Sequence, residues 1–136
     1  MRYGFTLFLA VALAPVSDVQ AQACRGADST SAYFVSDLRE LTSSTKVEDG
    51  WQRRDLKIPV VDSTTVTLVT DNKVCQKALA TYNTTVAAGQ PAATRVYVVK
   101  VGTVYVALDS DRPSPRAERY TVMKSNNYQL LAKYGR

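Results

Sequence analysis

The sequence predicts an α+β two-layer sandwich, with one or two helices packed on a mainly antiparallel sheet of four to five strands. Two observations carry most of this. Apolar residues recur at helical spacing in residues 30–42 and again after residue 72, whereas the last third alternates at period two with turn residues between the runs. A third is the order of elements, helix, strand, helix and then four strands, which lacks the strand–helix alternation of a parallel sheet.

The chain opens on an apolar run, residues 5–16, behind Met1-Arg2. Small residues follow, and the step Ala21-Gln22-Ala23 stands just before Cys24. One positive charge, a dozen apolar residues and an A-x-A step are the marks of a secretory signal peptide. The run is too short for a bilayer span, which needs about 20 apolar residues. Residues 1–23 are thus expected to be removed, leaving 24–136 as a single exported domain, periplasmic or extracellular, with no membrane span. Two cysteines in an exported chain predict one disulfide, Cys24 to Cys75. The competing reading makes Cys24 the acylated first residue of a lipoprotein, but Ala21 and Gln22 stand where such a signal has leucine and then a small residue.

Phe34, Leu38 and Leu41 define the first helix, 30–42, with Asp28 and Ser29 as start residues. Residues 42–50 read as loop, 51–57 as a short helical turn stopped by Pro59, and 66–69 as a β-branched strand after the Asp62-Ser63 turn. The second helix carries Val74, Cys75, Ala78, Leu79, Tyr82 and Val86 on one stripe, with Thr70 or Asp71 as cap and Gly89-Gln90-Pro91 as stop. Strands 95–101 and 104–109 flank Gly102-Thr103, a pair suited to a type II′ turn. That register sets Val101 opposite Val104, Val99 opposite Val106 and Tyr97 opposite Leu108. It leaves Val96, Val98, Lys100, Tyr105, Ala107 and Asp109 on a less apolar second face. A second hairpin, 119–124 with 128–134, turns at Asn126-Asn127 and places Thr121 and Met123 on one face with Leu130 and Ala132.

Much chemistry is closed off by composition. The protein has no histidine, which removes Ser-His-Asp and Cys-His catalysis and the commonest metal ligand. With both cysteines paired, thiolate catalysis and a thiolate zinc site go too. Six scattered glycines form no phosphate loop. No catalytic residue, metal site or cofactor is expected. Asp109 and Asp111 read as a solvated loop paired with nearby arginines, and Glu48-Asp49 beside Trp51 as an ordinary anchor.

The net charge of +5 suits an anionic polymer or an envelope protein as partner. The candidate ligand surface comprises Lys100, Tyr105 and Tyr120 on an exposed sheet face, with Arg112 and Arg116 in the long loop 110–117. The stretch Val66-Thr-Leu-Val-Thr-Asp71, followed by Val74-Cys75, Ala78, Ala80 and Tyr82-Asn83, resembles segments of small exported bacterial proteins of unassigned function. This resemblance implies a bacterial exported domain and no activity. A helix followed by an antiparallel meander is also similar to cystatin-like architecture, without that family's inhibitory motif. The leading expectation is a non-enzymatic binding or interaction module. Its alternatives are a hydrolase or lyase built on carboxylates and tyrosines, and a surface protein that assembles through strand edges.

Overall fold

The computed structural model describes residues 22–42, 57–109 and 120–134. Two helices pack on a five-stranded antiparallel open sheet in an α+β arrangement. In sequence order these are α1 (Ser29–Thr42), β1 (Val66–Val69), α2 (Asn72–Asn83), β2 (Tyr97–Val101), β3 (Val104–Leu108), β4 (Tyr120–Lys124) and β5 (Leu130–Tyr134). A 3₁₀ turn, Ser63–Thr65, leads into β1. The strands lie side by side in order β1-β2-β3-β4-β5, every neighbour antiparallel.

The first hairpin has the register that its alternation predicts: Val101 opposite Val104, Val99 opposite Val106, Tyr97 opposite Leu108. Gly102 sits at φ +59°, and Thr103 is not among the positive-φ residues, so only the first turn residue is left-handed, as type II′ requires. A Cβ on Gly102 would also stand 3.0 Å from Cγ1 of Val61 and 3.2 Å from Cγ of Pro59. Both the turn and the packing above it therefore need glycine here.

Each helix forms a two-layer packing with the sheet, α1 on one face and α2 on the other. On the first face Phe34, Val35 and Leu38 of α1 join Val66, Tyr97, Val99, Val101, Val104, Val106, Leu108, Tyr120 and Val122. Cys75, Ala78 and Tyr82 of α2 cover Val96, Val98, Tyr105, Ala107 and Met123 on the second. The alternation marks that second face as the more polar, solvated one. It is instead dry along most of its length, because the polypeptide crosses from β1 into α2 on that side and lays its apolar stripe over the sheet.

Two boundaries differ from the periodicity. Helix α2 stops at Asn83 instead of running to Gly89. The hydroxyls of Thr84 and Thr85 donate to the carbonyls of Thr81 and Tyr82, at 2.6 Å each, while the carboxamide of Asn83 bonds both backbone groups of Ala93. These local bonds take the place of further helical ones. Strand β5 begins at Leu130, and an irregularity between Val122 and Met123 sets Ala132 opposite Val122 while Leu130 faces Met123. Leu130 and Ala132 consequently serve different faces. The expected turn at 51–57 lies outside the described residues apart from Lys57, as does the 110–117 loop.

Cys24 and Cys75 form a disulfide, their Cα atoms 5.2 Å apart and both residues buried. A thiol engaged in this way is not open to acylation, which removes the lipoprotein reading. The bridge ties the segment before α1 to the first turn of α2. The same segment pairs in parallel beside Val96: the Arg25 amide donates to the Val96 carbonyl at 2.8 Å, and the Val96 amide donates to the Ala23 carbonyl at 2.9 Å. Closing a separation of 51 residues is worth about 4 kcal/mol in the loop-entropy model. Replacement of Cys75 by serine should thus lower stability by roughly 2–4 kcal/mol, read by denaturant unfolding, and leave one titratable thiol at Cys24. Two free thiols in the unreduced wild type would contradict the pairing.

Candidate functional site

Helix α1 starts with a reciprocal cap. The Ser31 amide donates to the Asp28 carboxylate, and the Asp28 amide donates to the Ser31 hydroxyl oxygen, each at 2.8 Å. Asp28 also places negative charge at the positive end of the helix. Near the other end, Arg39 reaches across to the sheet: Nε donates to the Ser63 carbonyl at 3.1 Å and Nη2 to the Val66 carbonyl at 3.2 Å. The helix is thereby fastened to the β1 end of the sheet, and a groove runs along the outer margin of the two.

This open groove, of about 530 Å³, is lined by Ala27, Asp28, Ser31, Ala32, Val35 and Arg39 of the α1 side and by Thr67 and Leu68 of β1. Its volume falls in the range of binding clefts. Successive side chains leave a strand on opposite faces, so a groove that touches both Thr67 and Leu68 runs along the strand's edge. β1 ends the sheet, with β2 on one side and, among the described residues, no strand on the other.

The backbone direction at this edge follows from the hairpin. A two-residue turn closes on a hydrogen-bonded pair, so Val101 and Val99 direct their backbone groups to β3, and Lys100 directs its own to β1. Thr67, opposite Lys100, is then the β1 residue that bonds to β2. Val66 and Leu68 face outward. The Arg39 bond to the Val66 carbonyl agrees with this.

The residues expected to form a ligand surface do not come together. Lys100 is exposed, opposite Tyr105 on one side and Thr67 on the other. Tyr105 is buried, 8% exposed, under α2 and against Tyr128, whose ring stacks on it at 5.6 Å between centroids. Tyr120 is fully buried on the α1 face and stacks on Tyr134 at 5.0 Å. The reason these two tyrosines cannot meet is parity. Tyr105 is opposite Met123, an odd number of residues from Tyr120, so the two rings leave the sheet on opposite sides. Arg112 and Arg116 lie outside the described residues.

Burial raises the Tyr105 phenol above 10.0, with Tyr128 adding to the effect. Tyr120 is raised much further by burial and then by Tyr134. Asp109 pairs with Arg25 at 2.6 Å, with both side chains partly exposed, a geometry worth little in water. It stands four residues along from Tyr105, roughly 13 Å on an extended strand. Among the described residues no three His, Cys, Asp or Glu side chains gather as metal ligands, and no helix is long and apolar enough to cross a membrane.

Two features escaped the sequence reading. One is the groove, for which only the Asp28-x-x-Ser31 cap and an arginine off the apolar stripe gave any sign. The other is Tyr128, the sole non-glycine residue at positive φ (62°) among those described. Its amide donates to the Lys124 carbonyl and its carbonyl accepts from the Thr81 hydroxyl, both at 2.9 Å, while Lys77 Nζ lies 5.6 Å from the ring centre. The strained backbone is thus held from both sides and delivers a ring that roofs Tyr105.

Comparison with protein-family models, with curated proteins and with solved structures finds no match.

Two outcomes check the site description. Tyr105→Ala should cost about 3 kcal/mol in unfolding free energy, as loss of a buried ring does, whereas Lys100→Ala should stay within about 0.5 kcal/mol. Equal, small effects would return Tyr105 to the surface. The second concerns alkaline pH. The fold holds Tyr120 as the neutral phenol, its value raised above the unfolded 10.0. This contribution is complete below that pH and is lost as the pH rises past it. Thermal melts should show the wild type losing more stability between about pH 8 and pH 11 than Tyr120→Phe does.

Proposed function

We propose that the protein is an exported, non-enzymatic binding module that takes an extended polypeptide segment along the open edge of β1. The observation that carries this reading is the groove between α1 and β1, which touches both sides of an edge strand whose Leu68 backbone faces outward. An added strand would draw affinity from main-chain hydrogen bonds and selectivity from alternate side chains. Val35 and Leu68 supply an apolar floor, and Ala27 and Ala32 leave room above it. Asp28 and Arg39 mark the two ends, eleven residues apart on the α1 side or about 16 Å along a helix. That length accepts about five extended residues. Opposite charges at the ends suit a segment with a basic group at one end and an acidic one at the other. The amino-terminal apolar run and the disulfide support an oxidising compartment outside the cytoplasm, so an envelope or extracellular protein is the partner class.

A second reading, self-assembly, is favoured by one observation. β5 forms the other edge of the sheet and exposes Leu130 at 40% and Leu131 at 36%. An apolar edge of this kind is a template for a further strand. The carboxylate–tyrosine hydrolase draws no support from the described residues, since Asp109 is paired with Arg25 and Tyr105 is buried at a distance from it.

The test is an NMR titration of the disulfide-bonded protein with a pool of five-residue peptides of alternating apolar and polar residues. The amides of Ser31, Thr67 and Leu68 should shift together, and Ala32→Trp, which fills the groove, should weaken the response at least tenfold. Shifts confined to Leu130 and Leu131, or a mass that grows with protein concentration, would favour the assembly reading instead.

A further inference from the structure

The groove on the outer margin of β1 has a direction, set by how α1 lies on the strand. Arg39, in the last turn of α1, bonds the carbonyl of Val66, the first residue of β1. The segment ahead of α1 pairs beside Val96, and Val98, on the same side of the sheet, is opposite Val69, the last residue of β1. α1 therefore runs antiparallel to β1, with Arg39 at the Val66 end of the groove and Asp28 at the Val69 end. Leu68 turns both its backbone groups outward, but the outward carbonyl of Val66 already accepts Nη2 of Arg39 at 3.2 Å. In an antiparallel addition, that carbonyl is where the incoming strand's next N–H would have to bond. The guanidinium stands in that place. Both its acceptors, the carbonyls of Ser63 and Val66, are neutral, and no carboxylate among the described residues is paired with it. Nη1 and the second proton of Nη2 have no acceptor among the described residues.

We propose that the groove takes the free carboxyl terminus of a polypeptide, laid antiparallel to β1; this rests on the edge-binding reading above and names its ligand. The ligand residue opposite Leu68 exchanges both main-chain bonds with it and is the last but one. The final residue lies opposite Thr67. A chain that continued would bring an N–H to the Val66 carbonyl and meet the guanidinium there. A chain that stops presents a carboxylate oxygen at the same point, and the guanidinium lies between that oxygen and the Val66 carbonyl and donates to both. Parallel addition would instead set an amino end against Arg39, like charge on like. Selectivity follows from parity. The penultimate side chain leaves on the side of Leu68, over the floor that Leu68 and Val35 form, and is apolar. The last one leaves on the side of exposed Thr67 and is not selected. Asp28, about 16 Å from Arg39 along the helix, faces a residue about four positions before the carboxylate and favours a basic side chain there.

The experiment is an NMR titration of the disulfide-bonded protein with acetyl-Lys-Val-Ser-Val-Ser, once as the free acid and once as its carboxyl-terminal amide. The acid should shift the amides of Ser31, Thr67 and Leu68 and bind about tenfold tighter than the amide, or more, the size of one charge-assisted hydrogen bond. Arg39→Gln should remove that difference, its dispersed amide spectrum showing that the fold is intact. A nitroxide on the amino end of the peptide should broaden the Asp28 amide more than that of Arg39. Acid and amide bound equally by the wild type would overturn the carboxylate assignment and leave the edge-binding reading standing. Stronger broadening at Arg39 would overturn the direction. Silence with both peptides, where the mixed five-residue pool still shifts those amides, would overturn the proposal alone. Silence with the pool as well would sink the edge-binding reading and the proposal with it.

Discussion

The sheet has to be covered on both faces, and the rest of the structure answers to that constraint. Valines occur at both parities of its strands: Val99, Val101 and Val106 look one way, Val96 and Val98 the other, and all are fully buried. Each buried aliphatic side chain of this size is worth about 1.5–3 kcal/mol relative to exposure. No single helix can reach both faces. α1 covers the first, with Phe34 edge-on to Tyr97, and α2 crosses to cover the second. The disulfide then fastens α2 to the segment that runs beside Val96, so the cover on the second face is held both by packing and covalently.

With both faces occupied, what is left for recognition is the margin. This explains why a tyrosine–lysine platform in the middle of the sheet does not form. Lys100 escapes by lying near the turn end of β2, but Tyr105 beside it is sealed by α2 and Tyr128. The two edges differ in a way that bears on function. β5 carries Lys133 with two exposed leucines, and its Tyr134 hydroxyl accepts from the Lys57 amide. β1 has a helix packed beside it and tied to it by the Arg39 fork. On the proposed reading, a strand edge with an apolar floor and charged ends would be more selective than a bare one, because side chains as well as backbone would be read.

Tyr128 illustrates how a local conformation is sustained by tertiary contacts. Left-handed backbone is unfavourable for a tyrosine, yet the Lys124 and Thr81 bonds fix it from both flanks. Its role here is closure of the second core, since its ring caps Tyr105 and sits under Lys77.

The sequence by itself determined the elements that depend on near neighbours. The register of the first hairpin follows from the Gly102-Thr103 turn and period-two alternation, both local properties. The stripes of α1 and α2 follow from helical spacing, and the disulfide follows from there being two cysteines to pair. Even so, Thr84 and Thr85 ended α2 early and a bulge moved Ala132 to the other face, because hydroxyl back-bonding and an extra residue leave no mark on periodicity. Only the tertiary structure decided which faces are wet. Lys100, Tyr105 and Asp109 made the second face look polar, but burial depends on the path by which α2 crosses the sheet, and that path is a long-range property. The groove was illegible for the same reason: Asp28, Arg39 and Leu68 are far apart in sequence, and only the packing of α1 beside an edge strand brings them to one cleft.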